Sequence, residues 1–113
     1  MSKDYVERAK EIDLNARNLY QAAPDLMGAY RGLMQSASAD GVLDAKTKEL
    51  MALSIAVVTH CEGCITYHAR ACAKHGASKE EVAETIGVAI EMGGGPAAVY
   101  GAEALAAFEQ FAK

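Results

Sequence analysis

Cys61-Glu-Gly-Cys64, followed four residues later by His68, carries the chemistry most open to inference in this chain. Two thiols separated by two residues can close a small disulfide, or can serve as two ligands of a metal site. On a helix, positions three apart rise roughly 4.5 Å and share nearly the same face, which suits the roughly 4.4–6.8 Å Cα separation of a disulfide. If Cys61 opens that helix, the macrodipole and the free N–H groups of the first turn stabilise a thiolate there. Cys64 and His68 are helical neighbours at i and i+4, so a neutral imidazole can accept the Cys64 proton directly or through a water. This adjacency favours Cys64 as the attacking sulfur and Cys61 as the resolving one, against the common expectation that the first cysteine of such a pair attacks.

Glu49 is the fourth expected member, because it borders a segment (Leu50 to Val58) too apolar to be a solvated face. On one continuous helix it would lie about 18 Å from Cys61. It reaches the thiols only if the helices on either side of His60 fold back as an antiparallel hairpin, or if a second subunit supplies it. The hairpin puts Glu49 level with the stretch from His68 to Cys72, where a carboxylate orients His68 or relays its proton. A zinc site would need a fourth ligand beside Cys61, Cys64 and His68, and there is no second Cys-x-x-Cys. Cys72 lies roughly 12 Å along the helix from Cys64, and it reads as a packed core thiol. His75 reads as structural or solvated, Glu91 as structural, and Met27, Met34, Met51 and Met92 as core packing.

These residues need helices to hold them, and the apolar pattern supplies them. Tyr5, Ala9, Ile12, Ala16, Leu19 and Ala23 step by three or four, predicting a first helix. Pro24 starts a second, and Ser36 to Asp44 reads as a loop. Asp44 caps a third helix running to about Thr59; its second half is apolar all round, which predicts a central position or a subunit interface. The fourth runs from near Cys61 to Gly76, a left-handed terminator. Ser78-Lys-Glu-Glu81 is a capping box for a fifth, with Val82, Ile86, Ala89 and Ile90 facing inward. Gly93-Gly-Gly-Pro96 breaks the chain before a last helix carrying Gly101, Leu105, Phe108 and Phe111. No segment alternates with period two over strand length. The expected fold is all-α, one domain of about six helices spanning residues 1–113, with a central antiparallel helical hairpin.

Composition agrees. The 113 residues are 51% hydrophobic, with two Phe, five Tyr and no Trp, so aliphatic side chains fill the interior, and part of so much apolar surface is expected between subunits. A net charge of −4 with no run of Lys or Arg argues against nucleic-acid binding. No apolar stretch approaches the roughly 20 residues of a membrane span. The charged N-terminus is unlike a signal peptide, and an odd cysteine count is unlike a disulfide framework. The chain reads as soluble and cytoplasmic, where a close thiol pair is catalytic, redox-sensing or metal-binding.

Glu49 with Cys61-x-x-Cys64-x-x-x-His68 resembles the constellation of the AhpD-like alkylhydroperoxidase group of the carboxymuconolactone decarboxylase family. Ile65-Thr-Tyr-His68, Gly76-Ala-Ser-Lys-Glu-Glu81 and Met92-Gly-Gly-Gly-Pro96 extend the likeness, which spans about Asp44 to Gly101. The resemblance implies an all-helical fold assembled as trimers or hexamers. It also implies a thiol-dependent peroxidase acting on hydrogen peroxide or organic hydroperoxides. In that chemistry Cys64 attacks and becomes a sulfenic acid, Cys61 closes the disulfide, and His68 and Glu49 relay protons. No cofactor is implied beyond an external thiol reductant, a lipoyl- or thioredoxin-like dithiol protein. Some members carry a histidine between the cysteines where this chain has Glu62-Gly63. Three alternatives stay open there: a shorter relay, a part taken by His60, or weak peroxidase activity. Two other readings remain: a decarboxylase or lactone-processing enzyme with incidental thiols, and a non-enzymatic metal-binding or redox-sensing oligomer.

Overall fold

The computed structural model describes residues 3–113. Six helices account for nearly all of them: α1 (Tyr5–Ala22), α2 (Pro24–Ser38), α3 (Ala45–Val58), α4 (Glu62–Lys74), α5 (Lys79–Gly93) and α6 (Gly95–Phe111). The architecture is all-α, as the periodicity predicts. Each start has a local chemical cause. The Asp4 and Asp44 side chains accept the N–H of Glu7 and Thr47 at 3.0 and 2.8 Å, meeting donors that the first helical turn leaves free. Ser78 and Glu81 form the reciprocal capping box. Pro24 opens α2 directly after α1.

Two expected boundaries move. α2 continues to Ser38, so the loop begins at Ala39 rather than Ser36; the Ser38 hydroxyl bonds back to the Met34 carbonyl at 2.8 Å and continues the turn. The glycine-rich break shrinks to Gly94 alone, at φ 72°, because Gly93 still closes α5 and Gly95 already begins α6.

Helices α3 to α6 pack together around Leu53, Val57, Ile65, Ala69, Val82, Ile86, Ala104 and Phe108. Close approach of α5 and α6 depends on Gly101, where a Cβ would lie 2.5 Å from Ile86 Cγ2. α1 lies across α2, α4 and α6. Its N-terminal end is fastened to α6: Tyr5 N–H donates to Gln110 Oε1 at 2.7 Å, and the Tyr5 hydroxyl donates to Glu103 at 3.1 Å. Burial, with the Glu103 charge beside it, pushes the Tyr5 phenol up to about 12.

The outward faces differ from the sequence reading. Met51 and Met92 are exposed rather than core, and so is Ile90, expected to face inward. Ile55, Val58 and Val88 join Met51 and Met92 at the surface, and α2 contributes no buried residue at all. The cause is geometric: one chain offers no further element to cover these faces. Among the described residues, no helix is long and apolar enough to cross a membrane.

Candidate active site

The site is assembled by the α3–α4 hairpin. α3 ends at Val58, and the next residues turn back through His60, whose φ of 58° is the left-handed conformation usual for glycine. The N–H groups of His60 and Cys61 bond to the carbonyls of Val57 and Ala56 at 3.3 and 3.1 Å, closing α3 in a Schellman pattern. Cys61 then caps α4, its sulfur accepting the Cys64 N–H at 3.2 Å. Cys61 and Cys64 are disulfide-bonded, with their Cα atoms 5.2 Å apart. Cys64 is the exposed partner and Cys61 is half-buried.

The hairpin also brings Glu49 and His68 together within one subunit, with Glu49 Oε1 2.7 Å from His68 Nδ1. Glu49 is 7% exposed, so the carboxylate side of this contact is shielded from water, while His68 is half-buried. An ionised carboxylate only accepts, so Nδ1 carries the hydrogen and Nε2 is left as the basic nitrogen. His68 stands one helical turn beyond Cys64 on α4, and Tyr67 meets its ring edge-on at 5.0 Å. Arg70 sits over Tyr67 and holds Asp13 of α1 by two hydrogen bonds of 3.0 and 3.1 Å.

His68 faces two hollows. On one side, with Glu49, is a space of about 260 Å³ bordered by Lys48 and Ser38. On the other is a pocket of about 420 Å³ in which the disulfide, Gly63 and His68 face Ile12, Tyr20, Met27, Tyr30 and Met34. The structure thus places Cys61, Cys64, His68 and Glu49 at one site and sets His60 apart. The His60 ring lies flat on Tyr100, 4.6 Å between centroids and 4° between planes, outside the residues lining the thiol pocket. Glu62, which stands between the cysteines, also turns away: it binds Lys3 and Arg8 at 2.8 and 2.9 Å, and these cations hold its carboxyl below the usual range, Lys3 first. Cys72 is fully buried; burial and then the Glu49 charge push its thiol up to about 12. Among the described residues no three His, Cys, Asp or Glu side chains converge as a metal-ligand set.

Met27 and Met34, expected as core packing, instead join Tyr30 on one face of α2 that forms the wall opposite the disulfide. The clue was the weak apolar anchoring of α2 combined with sulfur and phenol groups, which suit an adaptable wall.

Fold and site together define an all-helical protein with a Cys-x-x-Cys disulfide and a carboxylate-held histidine beside the sulfur pair. The profile of the carboxymuconolactone decarboxylase family matches residues 24–107, and the chain belongs to that family. It is 41% identical to an uncharacterised protein of Cupriavidus necator over 96% of both chains. Its structure is similar to that of the apo form of a carboxymuconolactone decarboxylase family protein from Legionella pneumophila, with a TM-score of 0.95 and 44% identity. That match covers 99% of this chain and 100% of the other. A family member from Thermotoga maritima, described as a candidate for involvement in antioxidative response, matches with TM-score 0.69 and 34% identity, covering 74% of this chain and 87% of that one.

Proposed function

We propose that the protein is a thiol-dependent peroxidase that cycles between the Cys61–Cys64 dithiol and disulfide. The observation that carries this reading is the 2.7 Å contact of buried Glu49 with His68, whose ring stands one turn from Cys64 and lines the same pocket as the disulfide. His68 Nε2 takes the Cys64 proton. The thiolate attacks a hydroperoxide oxygen; an S–O bond forms, the O–O bond breaks, and the alkoxide leaves as the alcohol with the proton His68 returns. Cys61 then attacks the sulfenic sulfur, forming the S–S bond and releasing water. An external dithiol, lipoyl- or thioredoxin-like, restores the pair and leaves as its own disulfide. The substrate is hydrogen peroxide or an organic hydroperoxide, and a centre needing continual reduction fits the cytoplasm.

The uncovered apolar faces of α2, α3 and α5 support a homo-oligomer, a trimer or hexamer. The test of function is peroxide consumption by wild type beside Cys64→Ser, with free thiols counted after one equivalent of peroxide. Wild type loses two thiols per equivalent, and Cys64→Ser does not turn over. Full peroxidase activity in Cys64→Ser would refute the proposal. Conversion of a lactone carboxylate that survives loss of both cysteines would replace it with the decarboxylase reading.

A further inference from the structure

Between α1 and α2 lies another concavity, of about 520 Å³, lined by Asp13, Ala16, Arg17, Tyr20 and Arg31. Ala16 and Tyr20 also line the thiol pocket, so the two spaces are neighbours that share a stretch of α1. The chain has four arginines, and they divide into two kinds. Arg8 is paired with Glu62 and Glu11, and Arg70 with Asp13. Arg17 and Arg31 make no ion pair among the described residues, and both line this concavity. Asp13 is its one lining carboxylate, and both of its oxygens are held by Arg70. In a chain of net charge −4, two uncommitted guanidiniums lining one concavity, Arg17 from α1 and Arg31 from α2, make a local anion-seeking surface, with donor forks that match a carboxylate.

The inner end is apolar and reaches the sulfurs: Ile12 Cδ1 is 3.9 Å from where a Gly63 Cβ would stand. From Ile12 to Tyr20, α1 rises roughly 12 Å, over a wall whose lining charges are Arg17 and the Arg70-held Asp13. Hydrogen peroxide needs no such length. We infer that the neighbouring spaces bind an amphipathic acid, its carboxylate held by Arg17 and Arg31 and its apolar chain lying over Ile12, Ala16, Tyr20 and Met27 toward the disulfide. For the reaction at the inner end this rests on the peroxidase reading; the binding itself does not. The same carboxylate chemistry can arrive on the oxidant, as the hydroperoxide of an apolar-chain acid, or on the reductant, as a dithiol acid.

The test uses the full-length oxidised protein, an unreactive probe and its uncharged counterpart: decanoate and methyl decanoate, titrated calorimetrically. Decanoate should bind at least tenfold more tightly than the ester. The Arg17→Gln/Arg31→Gln double variant should lose about tenfold in decanoate affinity with ester binding unchanged. Equal binding of acid and ester by wild type, or unchanged decanoate affinity in the variant, overturns the inference. KM values then identify the carrier, comparing linoleic acid hydroperoxide with its methyl ester, and dihydrolipoate with dihydrolipoamide. The acid whose KM rises in the variant is the natural class, and no rise for either acid also overturns it. A protein that binds decanoate through the arginines but reduces no hydroperoxide would overturn the peroxidase reading alone.

Discussion

Glu49→Gln is the substitution that isolates the proposed relay. It keeps the length and volume of the side chain and removes the charge that holds His68 Nδ1 at 2.7 Å. A hydrogen bond to a charged partner is worth about 1.5–3 kcal/mol. The amide oxygen of a glutamine still accepts from Nδ1, so the loss is the difference between a charged and a neutral hydrogen bond, about 1–2 kcal/mol. If His68 must be held for Cys64 to lose its proton, about 1–2 kcal/mol reappears in the barrier as a rate about 5- to 30-fold slower. The assay is single turnover: pre-reduced protein meets one equivalent of hydroperoxide, is quenched with an alkylating reagent at set times, and is scored by mass for free Cys61 and Cys64. Glu91→Gln, at an exposed position, serves as the control and should match wild type. Thermal melts run alongside separate a lost relay from a loosened fold. An oxidation rate for Glu49→Gln within threefold of wild type would refute the reasoning.

Other outcomes follow from the packing and the charges. In reduced protein at pH 8, Cys61 and Cys64 should alkylate readily while Cys72, pushed up to about 12, reacts only on unfolding; its thiolate fraction there is about one in ten thousand. Three thiols of similar reactivity would contradict the burial of Cys72. Gly101→Ala drives a Cβ into Ile86 Cγ2, which is stiff on its helix, and should cost about 1–2 kcal/mol after the helix-propensity gain, lowering Tm by about 4–8 °C. Gly87→Ala meets nothing within 4 Å and should raise Tm; the same sign for both would mean that α5 and α6 do not approach as described. Glu62 has its folded carboxyl depressed by Lys3 and Arg8. Its stabilisation is therefore present above the ordinary carboxylate pKa and is lost as pH falls through the folded value. Glu62→Gln should melt slightly lower than wild type near neutral pH, by about 1 kcal/mol at most for such exposed pairs, and the gap should close below about pH 4. A gap that widens in acid would exclude the ion pairs as its source.

What could be read from the sequence was what neighbours in sequence decide. Asp44, Cys61 and Ser78 mark helix starts because a cap acts within three residues, and Gly76 and Gly94 mark ends because only local backbone conformation is at stake. The Glu49–His68 meeting was legible once a turn at His60 was assumed, since a hairpin fixes which residues stand level. Long-range packing was not legible. Nothing local shows that Glu62 would find Lys3 and Arg8, 59 and 54 residues away, or that Met27 and Met34 would face the sulfurs. Exposure of Met51, Ile90 and Met92 was equally hidden, because apolar periodicity identifies a face without naming what covers it.

Cys61 belongs to two helices at once, its N–H ending α3 and its sulfur beginning α4. The Cys61 carbonyl also accepts the Ile65 N–H at 2.8 Å, so the span between the cysteines is held by backbone bonds that exist whether or not the sulfurs are joined. In the proposed cycle the reduced thiols would then stay confined near the spacing that closure demands, at the high effective concentration of a preorganised intramolecular reaction. The entropy of bringing them together is met once, when the chain folds, and not again in each cycle. Loosening this turn should therefore slow disulfide closure and lengthen the life of the sulfenic acid, while leaving the first attack by Cys64 at its original rate.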